Sequence, residues 1–318
     1  MGVRDLSLRD LTYVVAVAEE RHFGRAAEHC HISQPALSAQ VRKVERVLGA
    51  KLFERNRRRV LLTQVGERVV DQAWAVLREA DHLGELARSA GGVLVGPFRL
   101  GLILTLGPYL LPHLLGPLRE LYPDLELILT EGLTEQLLDA LRGGRLDAVL
   151  FAPLPDTTGF EIEVLFFEPF LLATPHSHPL STKRRLTLED LKREEMVLLN
   201  DGHCLREQTL QFCPSQRAGK ERLQTAGLET LRHLVASGAG YSLLPSLAVR
   251  KDPQLSDLLV YRAFDGPQPG RDVALCWREG SPRRVDLTAL AALVRDCLPE
   301  GLPLRSGDGF TAANSRTA

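Results

Sequence analysis

Apolar residues recur with three different spacings along the chain, and each spacing predicts a different kind of structure. In the first 65 residues they follow a helical period, which predicts short helices with one buried face. From Glu67 to Ser89 they recur every 3.5 residues without a proline, as in a coiled-coil helix. From Phe98 onward, short apolar runs alternate with helical segments, which predicts an α/β domain with a parallel sheet.

The first segment has the pattern of a helix-turn-helix. After a first helix that begins near Leu8, Gly24–Glu28 predicts a short second helix. Ser33 suits the N-cap of a third helix, Pro35 suits its first turn, and Gly49 suits its end. The pattern therefore predicts a recognition helix followed by an apolar ribbon.

Polar and basic residues are predicted to cover the outer face of this segment. Gln, Ser and Arg at the front of a recognition helix suit base edges and phosphates, and arginines in a following turn suit the DNA backbone. The candidate DNA-binding residues are Ser33, Gln34, Pro35, Ser38, Gln40, Arg42 and Lys43 of the helix, and Arg55, Arg57, Arg58 and Arg59 of the wing. The alternative is a helical bundle whose basic face is only solvated, because such a bundle would carry the same excess of Lys and Arg.

The 3.5-residue repeat predicts a helical dimerisation arm. Its apolar positions are Val69, Ala73, Val76, Ala80, Leu83 and Ala87. A helix that buries this stripe on its own domain is the alternative. Gly91-Gly92 and Gly96-Pro97 then read as a linker.

The remaining sequence predicts a sensor with two α/β lobes. A β-α-β-α-β run opens it, and Thr105 and Thr134 follow its first and second strands, where open α/β sheets bind ligands. Each threonine would serve equally as an ordinary N-cap. Residues 164–175 form a long strand into the second lobe, Thr187–Asp190 begins a helix, and Asp272–Arg278 returns to the first lobe.

These patterns predict four regions. They are a winged helix-turn-helix at 1–65, a linker and dimerisation helix at 66–92, a sensor domain at 93–300, and a disordered tail at 301–318. Within the sensor, lobe I covers about 97–165 and 270–300, and lobe II about 166–269.

Charge and cysteine content narrow the function. Residues 1–60 contain 12 Lys and Arg against 7 Asp and Glu, so this end carries +5 and the remainder −6 of the net −1. This asymmetry favours a polyanion partner at one end only. With five cysteines and no leader or spanning segment, we expect a cytoplasmic protein without membrane contact, whose disulfides are transient. His22, His29, Cys30 and His31 match no common metal signature, and we expect no metal and no cofactor.

The segment DGHCLREQTLQFC at 201–213 carries the candidate chemistry. Cations beside Cys204 would lower its thiol pKa toward neutrality, with His203 assisting proton transfer and Arg206 stabilising the anion. If the intervening residues are helical, the Cα atoms of Cys204 and Cys213 lie about 13.5 Å apart. A disulfide requires roughly 4.4–6.8 Å, so oxidation would be a conformational event.

Several strings resemble one family. SQPALSAQ at 33–40 and KLFER at 51–55 resemble the DNA-binding domain of the LysR-type transcriptional regulators. The cysteine segment, GLILTLGPYLLPH at 101–113, LTEQLL at 133–138 and GLETLRHLVASGAGYSLLP at 227–245 resemble its peroxide-sensing OxyR branch. The resemblance implies a winged helix-turn-helix, a helical linker and a two-lobed, periplasmic-binding-protein-like α/β sensor.

The resemblance also implies roles. Cys204 would be the peroxidatic and redox-sensing thiol and Cys213 the resolving thiol, with a peroxide site formed by Thr105, Thr134, His203 and Arg271. It implies a regulator and not an enzyme, acting on double-stranded promoter DNA as a homodimer or homotetramer with RNA polymerase, and reset by glutaredoxin or thioredoxin. Pro214 departs from the family pattern and stiffens the chain beside Cys213.

Two other functions fit parts of the sequence. A LysR-type regulator could bind a small molecule in the cleft between its lobes, with incidental cysteines. A thiol peroxidase would use the same Cys204, although the basic winged helix argues against it. Replacement of Cys204 distinguishes the small-molecule regulator from a redox sensor. Sustained consumption of peroxide with a thiol reductant identifies a thiol peroxidase.

Overall fold

The computed structural model describes residues 2–56, 59–88, 92–153, 159–192, 195–212, 224–249, 255 and 257–305. The chain divides into two compact units. The first consists of Met1–Gly92 with Arg142–Arg145, and the second of Val93–Leu141 with Leu146–Ala318. Of the helices in the described part of the chain, none is both long and apolar enough to cross a membrane.

The first unit contains the predicted helix-turn-helix. Its elements are α1 (Leu8–Glu20), α2 (Phe23–His29), α3 (Gln34–Leu48), β1 (Phe53–Asn56), β2 (Arg59–Leu62) and α4 (Gln64–Arg88). The Ser33 hydroxyl accepts from Ala36 N, and Gly49 ends α3 with a φ of 67°, so both predicted caps are confirmed. Leu37, Val41 and Val44 of α3 are fully buried in the core of this unit.

The predicted wing is a hairpin, and the predicted arm is one long helix. β1 and β2 pair antiparallel, with Phe53 opposite Leu62. Helix α4 begins three residues earlier than predicted. Its Ala73 is buried, whereas Val76 and Leu83 of the same stripe are 39% and 69% exposed. The apolar stripe is therefore buried near the start of α4 and exposed at Val76 and Leu83.

The second unit is built on a seven-stranded sheet. Its strands are β3 (Gly96–Ile103), β4 (Leu125–Gly132), β5 (Ala148–Phe151), β6 (Phe160–Pro175), β9 (Ser242–Pro245), β10 (Leu259–Arg262) and β11 (Gly270–Arg278). The two remaining strands, β7 (Leu198–Leu199) and β8 (Gln224–Thr225), pair with each other. The helices are α5 (Gly107–Leu121), α6 (Thr134–Arg142), α7 (Cys204–Gln211), α8 (Leu228–Ala236) and α9 (Arg284–Asp296).

Sheet order confirms the predicted crossing between two lobes. β3 lies between β4 and β5 and is parallel to both, as the β-α-β-α-β pattern requires. The sixteen-residue strand β6 pairs with β11 through Pro169 and with β9 from Phe170 onward. One strand therefore runs through the sheets of both lobes, and β11 returns the chain to lobe I.

Two predictions for this unit are wrong in part. The capping box of Thr187 and Asp190 forms, yet it starts only a 3-10 turn at Leu188–Asp190, because the next residue, Leu191, is extended and buries its side chain in the core. The predicted disorder from residue 301 does not hold through Arg305. A bulge in β6 leaves Leu165 out of register with β11, and its carbonyl accepts from Arg305 N. Residues 306–318 lie outside the described residues.

Gly66, in the first turn of α4, tests the close contact between this helix and the backbone of Leu52. A Cβ there would lie 2.1 Å from the carbonyl oxygen of Leu52. We expect Gly66→Ala to lower the free energy of unfolding by about 1–3 kcal/mol, because backbone must shift to admit the methyl group. Urea unfolding checks this, with Arg68→Ala on the exposed side of the same helix as a control that changes stability by less than about 0.5 kcal/mol. Equal stability of the two variants would contradict the close contact.

Candidate functional site

Two turns of lobe I and the start of one helix of lobe II supply the candidate site. Thr105 lies in the turn between β3 and α5, Thr134 is the first residue of α6 after β4, and Cys204 is the first residue of α7. Both threonines follow strands, as predicted. Thr105 does not cap α5, since Leu106 occupies that position without a side-chain hydrogen bond. Thr105 is therefore available for a role other than capping.

The Cys204 thiol is buried, with only 3% of the residue exposed. Burial raises the pKa of Cys204, while the positive charge of Arg271, hydrogen bonding by Thr134 and the N–H of Leu205 lower it in part. The pKa stays above its ordinary value, so the resting group is chiefly the neutral thiol at pH 7. The prediction of a thiol pKa near neutrality is wrong, because desolvation outweighs the neighbouring charge.

Thr134 is placed to respond to the charge on the sulfur. Its Oγ1 is buried and makes no hydrogen bond of good geometry within the described residues. It nevertheless faces Cys204 closely enough to lower the pKa of the thiol by hydrogen bonding. The hydroxyl is thus a donor whose best acceptor arises only when the thiol loses its proton.

Arg271 is the cation of the site, and it is fixed by two partners. Its Nη1 donates to Thr105 Oγ1 (2.8 Å), and its Nη2 donates to the Thr105 carbonyl (2.9 Å). Its Nε donates to Glu168 Oε2 (2.8 Å), and both charged side chains have no exposed surface. Glu168 Oε1 accepts from the backbone N–H of Leu247 (3.1 Å). Arg271, Thr105 and Glu168 therefore form one buried polar network.

Arg206 takes a different place from the one predicted. Its guanidinium donates to the Leu199 carbonyl (3.0 Å) and pairs with Asp201 (2.9 Å). Residues two apart on a helix do not face the same side, so Arg206 points away from Cys204. Its contacts hold the turn before α7, where Gly202 has a φ of 92°. The predicted charge partner of the thiolate, Arg206, is thus replaced by Arg271.

His203 is the N-cap of α7 and is buried. Burial lowers the pKa of His203, against a hydrogen bond to the Ala226 carbonyl that raises it. The imidazole is therefore neutral at pH 7 and does not add positive charge beside Cys204, which corrects the prediction that it acts as a flanking cation. Cys213 lies outside the described residues, so its predicted role as resolving thiol stays a prediction.

The predicted DNA-binding residues of α3 are at least partly accessible. Ser33, Gln34, Pro35 and Arg42 are exposed, and Ser38 and Gln40 are half-buried. The Ser38 hydroxyl accepts from Arg42 Nη1 (3.1 Å). Arg55 and Arg59 lie on the hairpin strands, and Arg57 and Arg58 lie outside the described residues.

Lys43 differs from the other members of this set. Its Nζ lies 2.8 Å from Oδ2 of the buried Asp10. Burial raises the pKa of Asp10, but hydrogen bonds from Lys43 and Ser7 hold this pKa below its ordinary value. Lys43 thus ties α3 to α1, and its predicted contact with DNA competes with this ion pair.

Sequence reasoning missed Glu168 and its link to Leu247. The available signal was a single acidic residue inside the apolar run VLFFEPFLLATP, residues 164–175. A carboxylate in the middle of a buried strand needs a cationic partner, because burying it alone is costly. That argument identifies a partner charge but cannot say which arginine supplies it.

Comparison with known proteins places this architecture in a family. The model for bacterial regulatory helix-turn-helix proteins of the lysR family matches residues 8–67, and the LysR substrate binding domain matches residues 91–299. The chain belongs to the LysR family of regulators, and the predicted fold of a helix-turn-helix joined to an α/β sensor is confirmed.

Within this family, the chain is similar to OxyR proteins. It is 45% identical over 291 residues to the DNA-binding transcriptional dual regulator OxyR of Escherichia coli K12, covering 91% of this chain and 95% of that protein. It is 43% identical to the hydrogen peroxide-inducible genes activator of Haemophilus influenzae, over 92% and 97% of the two chains.

Solved structures give the same result. A full-length OxyR cysteine-to-aspartate variant from Pseudomonas aeruginosa superposes with a TM-score of 0.78 at 41% identity, covering 91% of this chain and 95% of that one. A peroxide-bound cysteine-to-serine mutant of Corynebacterium glutamicum OxyR gives 0.61 at 32% identity, over 92% and 94%. The recognised resemblance to the OxyR branch is confirmed.

The pH dependence of Cys204 alkylation tests whether burial outweighs the groups that stabilise the thiolate. Because the folded-state pKa is raised, alkylation should keep increasing with pH beyond about 8.5, the ordinary thiol value. Thr134→Val should slow alkylation at neutral pH about threefold to tenfold, because the thiolate loses a donor. Mass spectrometry of the Cys204 peptide after timed iodoacetamide exposure measures this. Thr130→Val, on the exposed part of β4, is the control; an equal effect from both substitutions would remove Thr134 from the site.

Proposed function

We propose that this chain is a hydrogen peroxide-sensing, DNA-binding transcriptional regulator of oxidative-stress genes, switched by a reversible disulfide between Cys204 and Cys213. The observation that carries the proposal is the buried Cys204 thiol beside the fixed guanidinium of Arg271 and the unused hydroxyl of Thr134. Relatives named as hydrogen peroxide-inducible genes activators support it.

The donors around the thiol suit a small peroxide molecule. Thr105 Oγ1 accepts from Arg271, so its own proton is left to donate among the described contacts. The Thr134 hydroxyl is likewise free to donate. Peroxide carries acceptor lone pairs on both oxygens, and developing negative charge on the departing oxygen is stabilised by preorganised donors in a dry site. These donors therefore suit a small polar oxidant.

The first step converts the thiol to a sulfenic acid. The sulfur electron pair of the Cys204 thiolate attacks one peroxide oxygen, the S–O bond forms, and the O–O bond breaks. The departing hydroxide takes up the proton that the thiol has lost, so thiol and peroxide give sulfenic acid and water. Because burial favours the neutral thiol, Arg271 and Thr134 are needed to stabilise the reacting thiolate.

The second step joins the two cysteines. The Cys213 thiol attacks the sulfenic sulfur, a disulfide forms, and a second water leaves. Helix α7 extends from Cys204 through Gln211, so Cys213 cannot reach Cys204 while that helix is intact. Closing the bond therefore unwinds α7 and removes Cys204 and Leu205 from the core of lobe II. A cytoplasmic dithiol reductant, thioredoxin or glutaredoxin, returns two electrons and restores both thiols.

The rest of the chain converts this repacking into altered DNA binding. The exposed Val76 and Leu83 of α4 suit pairing with a second copy, which gives a homodimer and, through the sensor domains, a homotetramer. Repacking of the sensor changes the spacing of the DNA-binding units on promoter DNA and their access to RNA polymerase. In this scheme the linker helix carries the signal from thiol to DNA.

Cysteine substitutions test the switch. We expect Cys204→Ser to abolish the response of a peroxide-dependent reporter, and Cys213→Ser to retain sulfenic acid at Cys204 without the disulfide. Mass spectrometry of cysteine-blocked peptides after brief peroxide exposure identifies both products. Cys297→Ser, at the end of α9, should behave as wild type. A full response from Cys204→Ser would favour a small-molecule regulator, and sustained peroxide turnover with a thiol reductant would favour a thiol peroxidase.

Substitutions on α3 test the DNA interface. Gln34→Ala should cost about 1–3 kcal/mol on a selected high-affinity duplex and little on random duplex, as expected for a base contact. Arg42→Ala should weaken both and reduce the slope of log affinity against log salt by about 1, as expected for a phosphate contact. Electrophoretic mobility shifts over a salt series measure both. Arg119→Ala, an exposed arginine in α5, is the control; if it matched Arg42→Ala, α3 would not be the interface.

A further inference from the structure

The Glu168 carboxylate is the one buried acidic partner of the site cation among the described residues, and neither alkylation nor peroxide chemistry requires it as a reactant. In the antiparallel register of β6 and β11, Glu168 stands directly opposite Arg271. Its Oε2 lies 2.8 Å from both Nε and Nη2 of Arg271, with no exposed side-chain surface on either residue. This is a fully buried cross-strand ion pair that includes the cation of the thiol site.

We infer that Glu168 is a positioning residue of the thiol site: by pairing with Arg271 it fixes the orientation of the guanidinium and withholds part of its positive charge from Cys204. The inference deepens the proposed function, and only its peroxide part rests on that function.

The orientation follows from counting donors. A guanidinium has five N–H bonds. The Nε bond and one Nη2 bond face Glu168, the second Nη2 bond faces the Thr105 carbonyl, and one Nη1 bond faces the Thr105 hydroxyl. Within the described contacts, one Nη1 N–H is left over. Since Glu168 and Thr105 fix the other four, they also fix where this last donor points.

The charge effect follows from burial. The positive charge of Arg271 lies close enough to Cys204 to favour the thiolate. A carboxylate at 2.8 Å, itself anchored by the Leu247 N–H and without exposed side-chain surface, opposes part of that field. Glu168 therefore has two separable effects: it adds to the burial that favours the neutral thiol, and it holds Arg271 in position for the reaction.

Glu168→Gln removes the charge and keeps the size. We expect the midpoint of Cys204 alkylation against pH to fall by about 1 unit or more, because Arg271 is no longer neutralised. We also expect the rate constant for sulfenic acid formation, divided by the thiolate fraction, to fall about tenfold, because Arg271 can turn away from its fixed position. Both are measured on the full-length chain by mass spectrometry of the Cys204 peptide.

Glu168→Asp separates the two effects. It keeps the charge but retracts the carboxylate by one methylene, so the alkylation midpoint should stay within about 0.3 unit of wild type while the normalised peroxide rate falls. This variant carries the test alone if Glu168→Gln does not fold, as judged by circular dichroism. Glu163→Gln is the matched control, since Glu163 lies on the same strand and pairs with Arg295 at 2.7 Å; it should leave both quantities unchanged.

The outcomes are distinct. An unchanged or raised alkylation midpoint in folded Glu168→Gln overturns the charge effect, and a normalised peroxide rate equal to wild type in Glu168→Asp overturns the positioning effect. If wild-type Cys204 forms no sulfenic acid at all, the proposed function fails, while the alkylation midpoint still decides the effect of Glu168 on the thiol.

Discussion

Burial of the Cys204 thiol is the constraint on which the rest of the site depends. A buried sulfur gives up its proton reluctantly, and for Cys204 desolvation outweighs every neighbouring group that favours the thiolate. Reactivity must therefore come from groups fixed in advance and directed at the charge that develops. Arg271 and Thr134 meet this requirement in different ways: the guanidinium is held by four contacts with Glu168 and Thr105, and the Thr134 hydroxyl faces the sulfur without a hydrogen bond of good geometry among the described residues.

The same burial bears on how the oxidised state is reached. Helix α7 has only eight residues, and a helix of that length is marginal in water without tertiary contacts. Its stability comes from burying Cys204, Leu205 and Thr209 in lobe II. Against this, Gln208 Oε1 is buried without a hydrogen-bond partner in the described part of the chain, which costs about 1–3 kcal/mol. In the proposed switch, disulfide formation would remove the first residue of a helix whose stability depends on these buried side chains.

Local rules predicted much of this architecture, and tertiary contacts decided the rest. Ser33 and Gly49 bound α3 because capping depends on a few neighbouring residues. Thr105 and Thr134 could be placed because parallel strands end at one edge of a sheet. Arg206 was misplaced because sequence proximity to Cys204 was taken for spatial proximity, although helical geometry turns residues two apart away from each other. The partner of Glu168 depended on the register of β6 and β11, which no local pattern specifies.

That register also explains how a thiol can affect a whole domain. Glu168 lies one residue before Pro169, the point at which β6 stops pairing with β11 and begins to pair with β9. Its carboxylate holds Arg271 of β11 with one oxygen and the Leu247 N–H, in the turn after β9, with the other. The network that orients the cation toward Cys204 is thus the one that joins the sheets of the two lobes. A new charge at the sulfur would act on this junction through Arg271, because a buried ion pair is costly to leave uncompensated.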